Sequence, residues 1–179
     1  TLIDGAVLWI NDKKIKLIGD ALEATGLSYY KEKIYVTGWQ YGGNGSIWTM
    51  DKDGSNQTHI ELEGKFSEGQ RILLHKGNTY VGGYFDQGSC YWINGNKINL
   101  TTNADSMSWG ISIDSNDNIF NVGYYMKSHS LIPSFWKNNK RINLSRPSPG
   151  DGEPKYIEIK GDKKIIAGTV MASNNFLAY

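Results

Sequence analysis

The sequence has little of what commonly cross-links or anchors a small protein. Its only cysteine is Cys90, so an intramolecular disulfide is excluded, and its place beside Trp92 is typical of a small buried apolar residue. No apolar run is long enough to span a membrane, and no signal-peptide pattern is present. Acidic and basic residues are interspersed and leave a net charge of +1. The balance argues against a nucleic acid or an anionic membrane as partner.

Sequence motifs for catalysis or cofactor binding are missing too. His59, His75 and His129 are far apart and lack the spacing that places two histidines on one metal ion. There is no Gly-x-Ser-x-Gly elbow, no phosphate-binding glycine loop and no Cys-x-x-Cys pair. No stretch carries a convincing helical pattern, and only four prolines interrupt the chain. The sequence therefore predicts no catalytic residue, no cofactor and no long helix.

A repeated hairpin is what the sequence does contain. Residues 91–100 alternate apolar and polar side chains on both sides of Asn94-Gly95, a pair that favours a type I′ turn. Related patterns place tryptophans at positions 9, 48, 92 and 136, with separations of 39, 44 and 44 residues. A fixed period of this length is typical of a repeat protein.

A second kind of hairpin ends in a glycine. The equivalent glycines are Gly38, Gly83, Gly123 and Gly168. If the strands of this hairpin are called a and b, and those of the tryptophan hairpin c and d, the chain reads c-d, three times a-b-c-d, then a-b-c. The pattern predicts seventeen strands in one all-β domain. Its proposed span is residues 1–179, with repeats at roughly 1–17, 18–62, 63–100, 101–144 and 145–179.

Four-stranded antiparallel units of this length, apolar on both faces, are typical of β-propeller blades. The sequence predicts about four blades, or a piece of a larger propeller. A β-sandwich is the alternative, but it does not predict so regular a repeat. The glycine that closes each b strand has two interpretations, the close approach of another backbone or of a ligand, and we expect the first.

Two further expectations follow from the repeat. The equivalent tryptophans, Trp9, Trp48, Trp92 and Trp136, should all be buried between blades. The hairpin around Trp9 should complete the blade begun by residues 155–170, because an uncovered hairpin would expose an apolar edge. Ile15 and Ile166 would then share one sheet.

A family resemblance rests on residues 80–101. Their pattern is Tyr-Val-x-Gly-Tyr, a variable loop, then Tyr-Trp-x-Asn-Gly-x-x-Ile-x-Leu-Thr. It resembles the repeats of bacterial secreted or surface-anchored β-propeller proteins, and residues 48–58 resemble a hairpin of TolB-like repeats. The resemblance implies a propeller at the outer-membrane surface, in the periplasm or outside the cell. It implies no activity, since propellers include both enzymes and binding proteins.

The loops from strand b to strand c carry the candidate ligand-binding residues. Aromatic rings beside amide and carboxylate groups would suit a sugar, because flat rings cover the apolar face of a pyranose while polar groups bond its hydroxyls. The alternative is that these rings pack between blades and only cap the core. The candidates are Trp39, Gln40, Tyr41, Tyr84, Phe85, Asp86, Tyr124, Tyr125 and His129.

Asp51 and Asp53 form a weaker candidate site, for calcium. Their spacing resembles the start of a calcium loop, but Leu62 stands where an EF-hand has its bidentate glutamate. A plain polar turn is the favoured interpretation.

The predicted function is a non-catalytic module that binds a glycan or a protein. The alternative is a propeller enzyme, a lyase or hydrolase of polysaccharides, whose catalytic carboxylates come from different blades. Asp86 and Asp105 are the nearest candidates for such a pair.

Overall fold

The computed structural model describes residues 5–102, 105–146 and 150–172, and the backbone of residues 175–178. These ranges contain seventeen β-strands, the predicted number, and no helix. The strands are β1 (Val7–Ile10), β2 (Lys13–Lys16), β3 (Ala21–Tyr30), β4 (Lys33–Gln40), β5 (Asn44–Asp51), β6 (Thr58–Glu61), β7 (Glu68–His75), β8 (Asn78–Phe85), β9 (Gly88–Ile93), β10 (Asn96–Asn99), β11 (Met107–Ile113), β12 (Ile119–Lys127), β13 (Ser130–Lys137), β14 (Lys140–Asn143), β15 (Gly150–Lys160), β16 (Lys163–Ala172) and β17 (Asn175–Ala178).

The strands form five antiparallel sheets in sequence order. β1 and β2 pair only with each other, and we call them the N-terminal hairpin. Sheets I (β3–β6), II (β7–β10) and III (β11–β14) have four strands each, and sheet IV (β15–β17) has three. The prediction of an all-β protein is confirmed, and the sheets follow one another in a propeller-like arrangement.

Turn chemistry explains why the hairpins form where they do. Asn94 and Gly95 have φ angles of 51° and 86°, so both central residues are left-handed, as the predicted type I′ turn requires. Asn138 and Asn139 adopt the same geometry with φ angles of 46° and 68°. Asparagine tolerates this region better than other residues with a Cβ atom. These local signals set the register of the c and d strands.

Successive sheets pack face to face. The forward face of each sheet, which points to the next sheet, carries in sheet III the side chains of Phe120, Val122 and Phe135, which cluster with Ile157 of sheet IV. The backward face points to the preceding sheet and carries the tryptophan of strand c. Cores between sheets therefore replace one central core.

Three of the four equivalent tryptophans confirm the predicted burial. Trp48, Trp92 and Trp136 are all but inaccessible to solvent. The indole nitrogens of Trp48 and Trp92 donate hydrogen bonds to the backbone oxygens of Ile18 at 3.0 Å and Glu63 at 2.8 Å. Burial of the ring and satisfaction of its polar group act together here.

The prediction for Trp9 is wrong, since this side chain is 62% exposed. Leu8 and Ile10, on the forward face of the N-terminal hairpin, pack against the core between the hairpin and sheet I. Trp9 pairs with Lys14 on the backward face. No described strand precedes that face, so the ring has nothing to pack against.

The predicted closure by the N-terminal hairpin is also wrong. Ile15 pairs with Leu8 in the hairpin, whereas Ile166 pairs with Ile157 in sheet IV. The hairpin is held on sheet I instead: Gln57 accepts a hydrogen bond from the Ile18 backbone nitrogen at 3.1 Å and donates one to the Lys16 oxygen at 3.1 Å. These bonds hold the N-terminal hairpin beside sheet I, which follows it in sequence.

Cys90 lies in the core between sheets I and II with Val81 and Trp92. Burial raises the pKa of its thiol, so the thiolate is strongly disfavoured. The residue acts as a small apolar side chain, as its position beside Trp92 in sequence indicates.

Candidate functional site

Every a strand carries a β-bulge at the same position. The register with strand b skips one residue between Ala24 and Gly26 in sheet I, and the skip recurs in the other three sheets. A bulge leaves one residue out of the ladder and redirects its side chain. The bulged residues are Thr25, Gln70, Trp109 and Lys155.

The glycine that closes each b strand makes room for this bulge. A Cβ atom on Gly83 would lie 2.0 Å from the backbone oxygen of Glu68, and one on Gly123 would lie 1.9 Å from that of Met107. Gly38 and Gly168 face the same obstacle. The structural interpretation of these glycines is supported, with one refinement: the backbone that approaches them belongs to strand a of their own sheet.

Next to these glycines in the ladder, an acidic residue of strand a faces an aromatic residue of strand b in two of the four sheets. Trp39 pairs with Glu23, and its indole nitrogen donates a hydrogen bond of 3.0 Å to the carboxylate. Tyr84 pairs with Glu68, and its hydroxyl donates a hydrogen bond to that carboxylate. In sheet IV, Glu153 pairs with Thr169.

Ring and charge contacts connect these side chains from sheet II to sheets III and IV. Tyr84 of sheet II meets Trp109 of sheet III edge to face, with ring centroids 6.0 Å apart. The ammonium of Lys155 in sheet IV lies 5.1 Å from the Trp109 ring centre and 3.6 Å from the Glu153 carboxylate. We call the whole set the acid–aromatic strip. It consists of Glu23, Trp39, Glu68, Tyr84, Trp109, Tyr124, Glu153 and Lys155.

Two tyrosines of the strip stay neutral far above neutral pH. Burial raises the pKa of Tyr84, and the Glu68 carboxylate that accepts its hydrogen bond raises it further, with smaller contributions from Tyr124 and Glu23. Burial also raises the pKa of Tyr124 to about 12, helped by the Glu153 and Asp105 carboxylates. Both phenols therefore remain hydrogen-bond donors in the folded protein.

The raised pKa of Tyr124 predicts a loss of stability in alkali. A tyrosine whose folded pKa exceeds its unfolded value near 10 contributes stability that is complete below that value and is lost as the pH rises towards 12. Chemical denaturation at several pH values should show Tyr124→Phe losing less stability than the wild type between pH 10 and 12. Identical alkaline profiles for the two proteins would contradict this expectation.

Strand alternation divides the predicted binding residues between two faces. Trp39, Tyr84 and Tyr124 lie on forward faces and belong to the strip. Their neighbours Gln40, Phe85 and Tyr125 point backward, because successive side chains of a strand alternate. They are held elsewhere: Gln40 donates to Glu61 at 2.8 Å, Phe85 is buried beneath Lys97, and the Arg141 guanidinium lies 3.6 Å from the Tyr125 ring centre.

The loop candidates lie outside the strip. Tyr41 is largely exposed at the turn between β4 and β5. Asp86 and His129 are exposed in the corresponding turns of sheets II and III, and His129 has a left-handed φ of 63°. The structure does not bring these three side chains together with the rings.

Asp51 and Asp53 are engaged within their own turn and strand pair. Asp51 accepts hydrogen bonds from Lys33 at 2.8 Å and Asn56 at 2.7 Å, and Asp53 accepts two from Ser55. In the part of the chain that the structure describes, no group of three acidic, histidine or cysteine side chains could hold a metal ion. The arrangement matches a polar turn.

A cavity of about 140 Å³ adjoins the strip. Arg71, Gly110 and Tyr156, which line it, directly follow the bulged residues Gln70, Trp109 and Lys155. A larger cleft of about 740 Å³ lies between β6 and the turn of the next sheet, and no strip residue lines it. The lining of the small cavity contains no strip residue either, and the cavity is related to the strip only through these neighbours in sequence.

Comparison with known proteins supports the fold alone. No protein-family model matches the chain. No curated protein matches it either. The chain is similar in structure to the computationally designed Ika4 protein, with a TM-score of 0.51, 15% identity, and coverage of 91% of this chain and 95% of that one. The designed Ika8 protein is also similar, with a TM-score of 0.49, 15% identity, and coverage of 86% and 45%.

Sequence reasoning missed the acidic half of the strip. Glu23, Glu68 and Glu153 each stand fifteen residues before the glycine that closes strand b. This constant spacing is a signal that could have identified them.

The described residues form strands and no helix, so they contain no helix that is long and apolar enough to cross a membrane.

Proposed function

We propose that this chain is a non-catalytic, carbohydrate-binding β-propeller module whose ligand lies on the acid–aromatic strip. The observation that carries the proposal is the recurrence of a partly buried ring fixed by a carboxylate, Trp39 with Glu23 and Tyr84 with Glu68, on adjacent sheets. A carboxylate that already orients a ring has further lone pairs for ligand hydroxyls. Rings held in this way lose little entropy on binding.

The charge of the strip selects among glycans. It carries three carboxylates, Glu23, Glu68 and Glu153, against the single ammonium of Lys155. Uronic acid or sulfated sugars would meet like charge, whereas a neutral sugar offers hydroxyls to the acids and an apolar face to the rings. The ligand class is therefore a neutral glycan.

The propeller itself is part of this proposal. Support comes from the repeat period, from the stacking of forward on backward faces and from sheets of three or four antiparallel strands. We infer about four blades per chain. We also propose a location outside the cytoplasm, at the outer-membrane surface, in the periplasm or outside the cell, and the resemblance of residues 80–101 to bacterial surface propellers supports it.

Binding should depend on the strip and not on the loop tips. We expect Trp39→Ala to weaken binding of a neutral oligosaccharide by about tenfold or more, since loss of a stacking ring removes on the order of 1.4 kcal/mol. Calorimetric titration against neutral and acidic oligosaccharides measures this. Tyr41→Ala, an exposed ring outside the strip, is the matched control and should leave affinity unchanged.

The melting temperature of each variant separates binding from folding. If Trp39→Ala unfolds the protein, Glu23→Gln, which keeps the ring and removes the charge, takes its place. A preference for acidic glycans, or an equal loss in Tyr41→Ala, would refute the strip as the site. Shortening of the oligosaccharide during the titration would favour the polysaccharide enzyme instead.

A further inference from the structure

Large apolar side chains are exposed at both ends of the series of sheets. At one end lie Trp9 on the N-terminal hairpin and two residues on the backward face of sheet I. At the other lie two residues on the forward face of sheet IV. Their exposed fractions are 62% for Trp9, 55% for Leu27, 56% for Tyr29, 61% for Tyr156 and 56% for Ile165. One end thus exposes a backward face and the other exposes a forward face.

Leu27 is exposed because no a and b strands lie in front of it among the described residues. Ile72, Ile111 and Ile157 occupy its position in the other sheets, two residues after the bulge, and all three are buried. The a and b strands of the preceding sheet cover them, with β11 packing on β7 and β8, for example. The N-terminal hairpin supplies only strands c and d, so Leu27 has no such cover.

A groove marks the place of the missing strand. It has a volume of about 220 Å³ and runs between β1 and the start of sheet I. β1 pairs with β2 along one edge, and among the described residues no strand pairs with its other edge. The lining residues are Val7, Leu8, Ala24, Thr25, Gly26, Leu27 and Val36.

Sheet IV has the complementary gap. β17 pairs with residues 169–172 of β16, and residues 165–168 have no described partner on that edge. In sheets I to III, strand c pairs with the equivalent stretch of strand b. Its tryptophan lies opposite the residue two positions before the glycine that closes strand b, as Trp92 does with Val81 and Trp136 with Asn121. The same register places Trp9 opposite Ile166 and Leu8 opposite Ala167. The four residues of β1 equal in number the four positions without a described partner, residues 165–168.

We propose that β1 of one molecule pairs antiparallel with residues 165–168 of β16 in a second copy of this chain. The contact completes a four-stranded sheet and covers Leu27 with the forward face that carries Ile165. It also brings Trp9 to the position where the other tryptophans are buried. The contact joins two different surfaces, so it closes into a dimer when two molecules exchange it reciprocally, whereas a one-sided contact would leave free ends for further copies.

The occupant is a second copy because the hairpin is fixed on its own sheet I. Leu8 and Ile10 pack there, Ala6 donates a backbone hydrogen bond to the Ala21 oxygen at 2.9 Å, and Gln57 holds Lys16 and Ile18. With these contacts and the packing between successive sheets as the structure has them, β1 pairs only with β2 and does not meet β16 of its own molecule. A second molecule can approach the groove with all of them intact.

Disulfide trapping tests the contact and its register. Leu8→Cys and Ala167→Cys are made in separate chains, which are purified, mixed and oxidised. Cross-strand partners have Cα separations within the range that a disulfide spans. We expect a covalent dimer in the mixture and in neither variant alone, and the native Cys90 is buried and does not compete. The register control is Leu8→Cys mixed with Ile165→Cys, displaced by two residues, which should cross-link at least tenfold less.

Absence of the mixed dimer, or equal cross-linking in the register control, would overturn the proposal. The double variant Leu8→Cys with Ala167→Cys in one chain identifies the occupant. A covalent dimer supports the second copy as occupant. A disulfide that forms within a monomer means that the chain closes on itself, and it would overturn the proposal. Light scattering of the wild type at rising concentration should show a dimer, and a monomer throughout would also overturn the proposal.

Discussion

Replacing Trp92 with alanine is expected to lower the free energy of unfolding by about 3 to 5 kcal/mol. The ring is fully buried between sheets I and II, in a cluster with Ile47 and Leu62, and its nitrogen satisfies the Glu63 carbonyl. Truncation leaves a cavity and an unpaired backbone oxygen. For a chain of 179 residues the melting temperature should fall by roughly 6 to 20 °C, which calorimetry measures.

Trp9 provides a matched control within the same molecule. It occupies the equivalent place in its hairpin but is mostly exposed. Trp9→Ala should therefore lower the free energy of unfolding by about 0.5 kcal/mol or less in a dilute sample in which the protein is monomeric. Equal losses for Trp9→Ala and Trp92→Ala would contradict the assignment of sheet-to-sheet burial as the source of the effect.

Replacing Gly83 with alanine is expected to destabilise the protein by on the order of 3 kcal/mol. The new methyl group would lie 2.0 Å from the Glu68 backbone oxygen and 2.8 Å from the Trp92 ring. Neither neighbour is the free end of a flexible side chain. The bulge that positions Glu68 beside Tyr84 must shift, so binding by the strip should fall together with stability.

Gly77 separates the effect of crowding from that of backbone conformation. It has a φ of 81°, and a Cβ atom there would meet nothing within 4 Å. Gly77→Ala should cost only about 1 kcal/mol, from the left-handed conformation. Denaturant unfolding of both variants gives the comparison, and a larger loss at Gly77 than at Gly83 would show that close approach is not what selects glycine at the end of strand b.

Local chemistry made much of the fold predictable. Asn94-Gly95 specifies a type I′ turn whatever surrounds it, and the turn fixes the register of the strands on either side. The tryptophan period then identifies the repeat, and the repeat gives the number of strands. Each turn and hairpin depends on residues that are close in sequence, and the repeat follows from the recurrence of these local patterns.

The wrong predictions depend on what lies across a sheet or beyond it. Trp9 has the same local pattern as Trp92, but burial requires a preceding sheet, which a hairpin pattern cannot report. The binding residues were predicted as whole loops, whereas alternation sends Tyr84 forward and Phe85 backward. Glu68 was missed because its approach to Tyr84 depends on the cross-strand register and its bulge.

The six tryptophans of the chain can report directly on where a ligand binds. Two belong to the acid–aromatic strip, Trp39 and Trp109. Three are buried between sheets, and Trp9 is exposed on the N-terminal hairpin, outside the strip. Each indole N–H gives one signal in a nitrogen–proton correlation spectrum, and single Trp→Phe variants assign the signals.

Titration of the labelled protein with a neutral oligosaccharide is the most direct test of the strip as a glycan-binding site. We expect the indole signals of Trp39 and Trp109 to shift together with one dissociation constant, while those of Trp48, Trp92 and Trp136 stay in place. Binding that moves the Trp9 signal and leaves Trp39 and Trp109 unchanged would contradict it, as would the absence of any shift across a panel of neutral glycans.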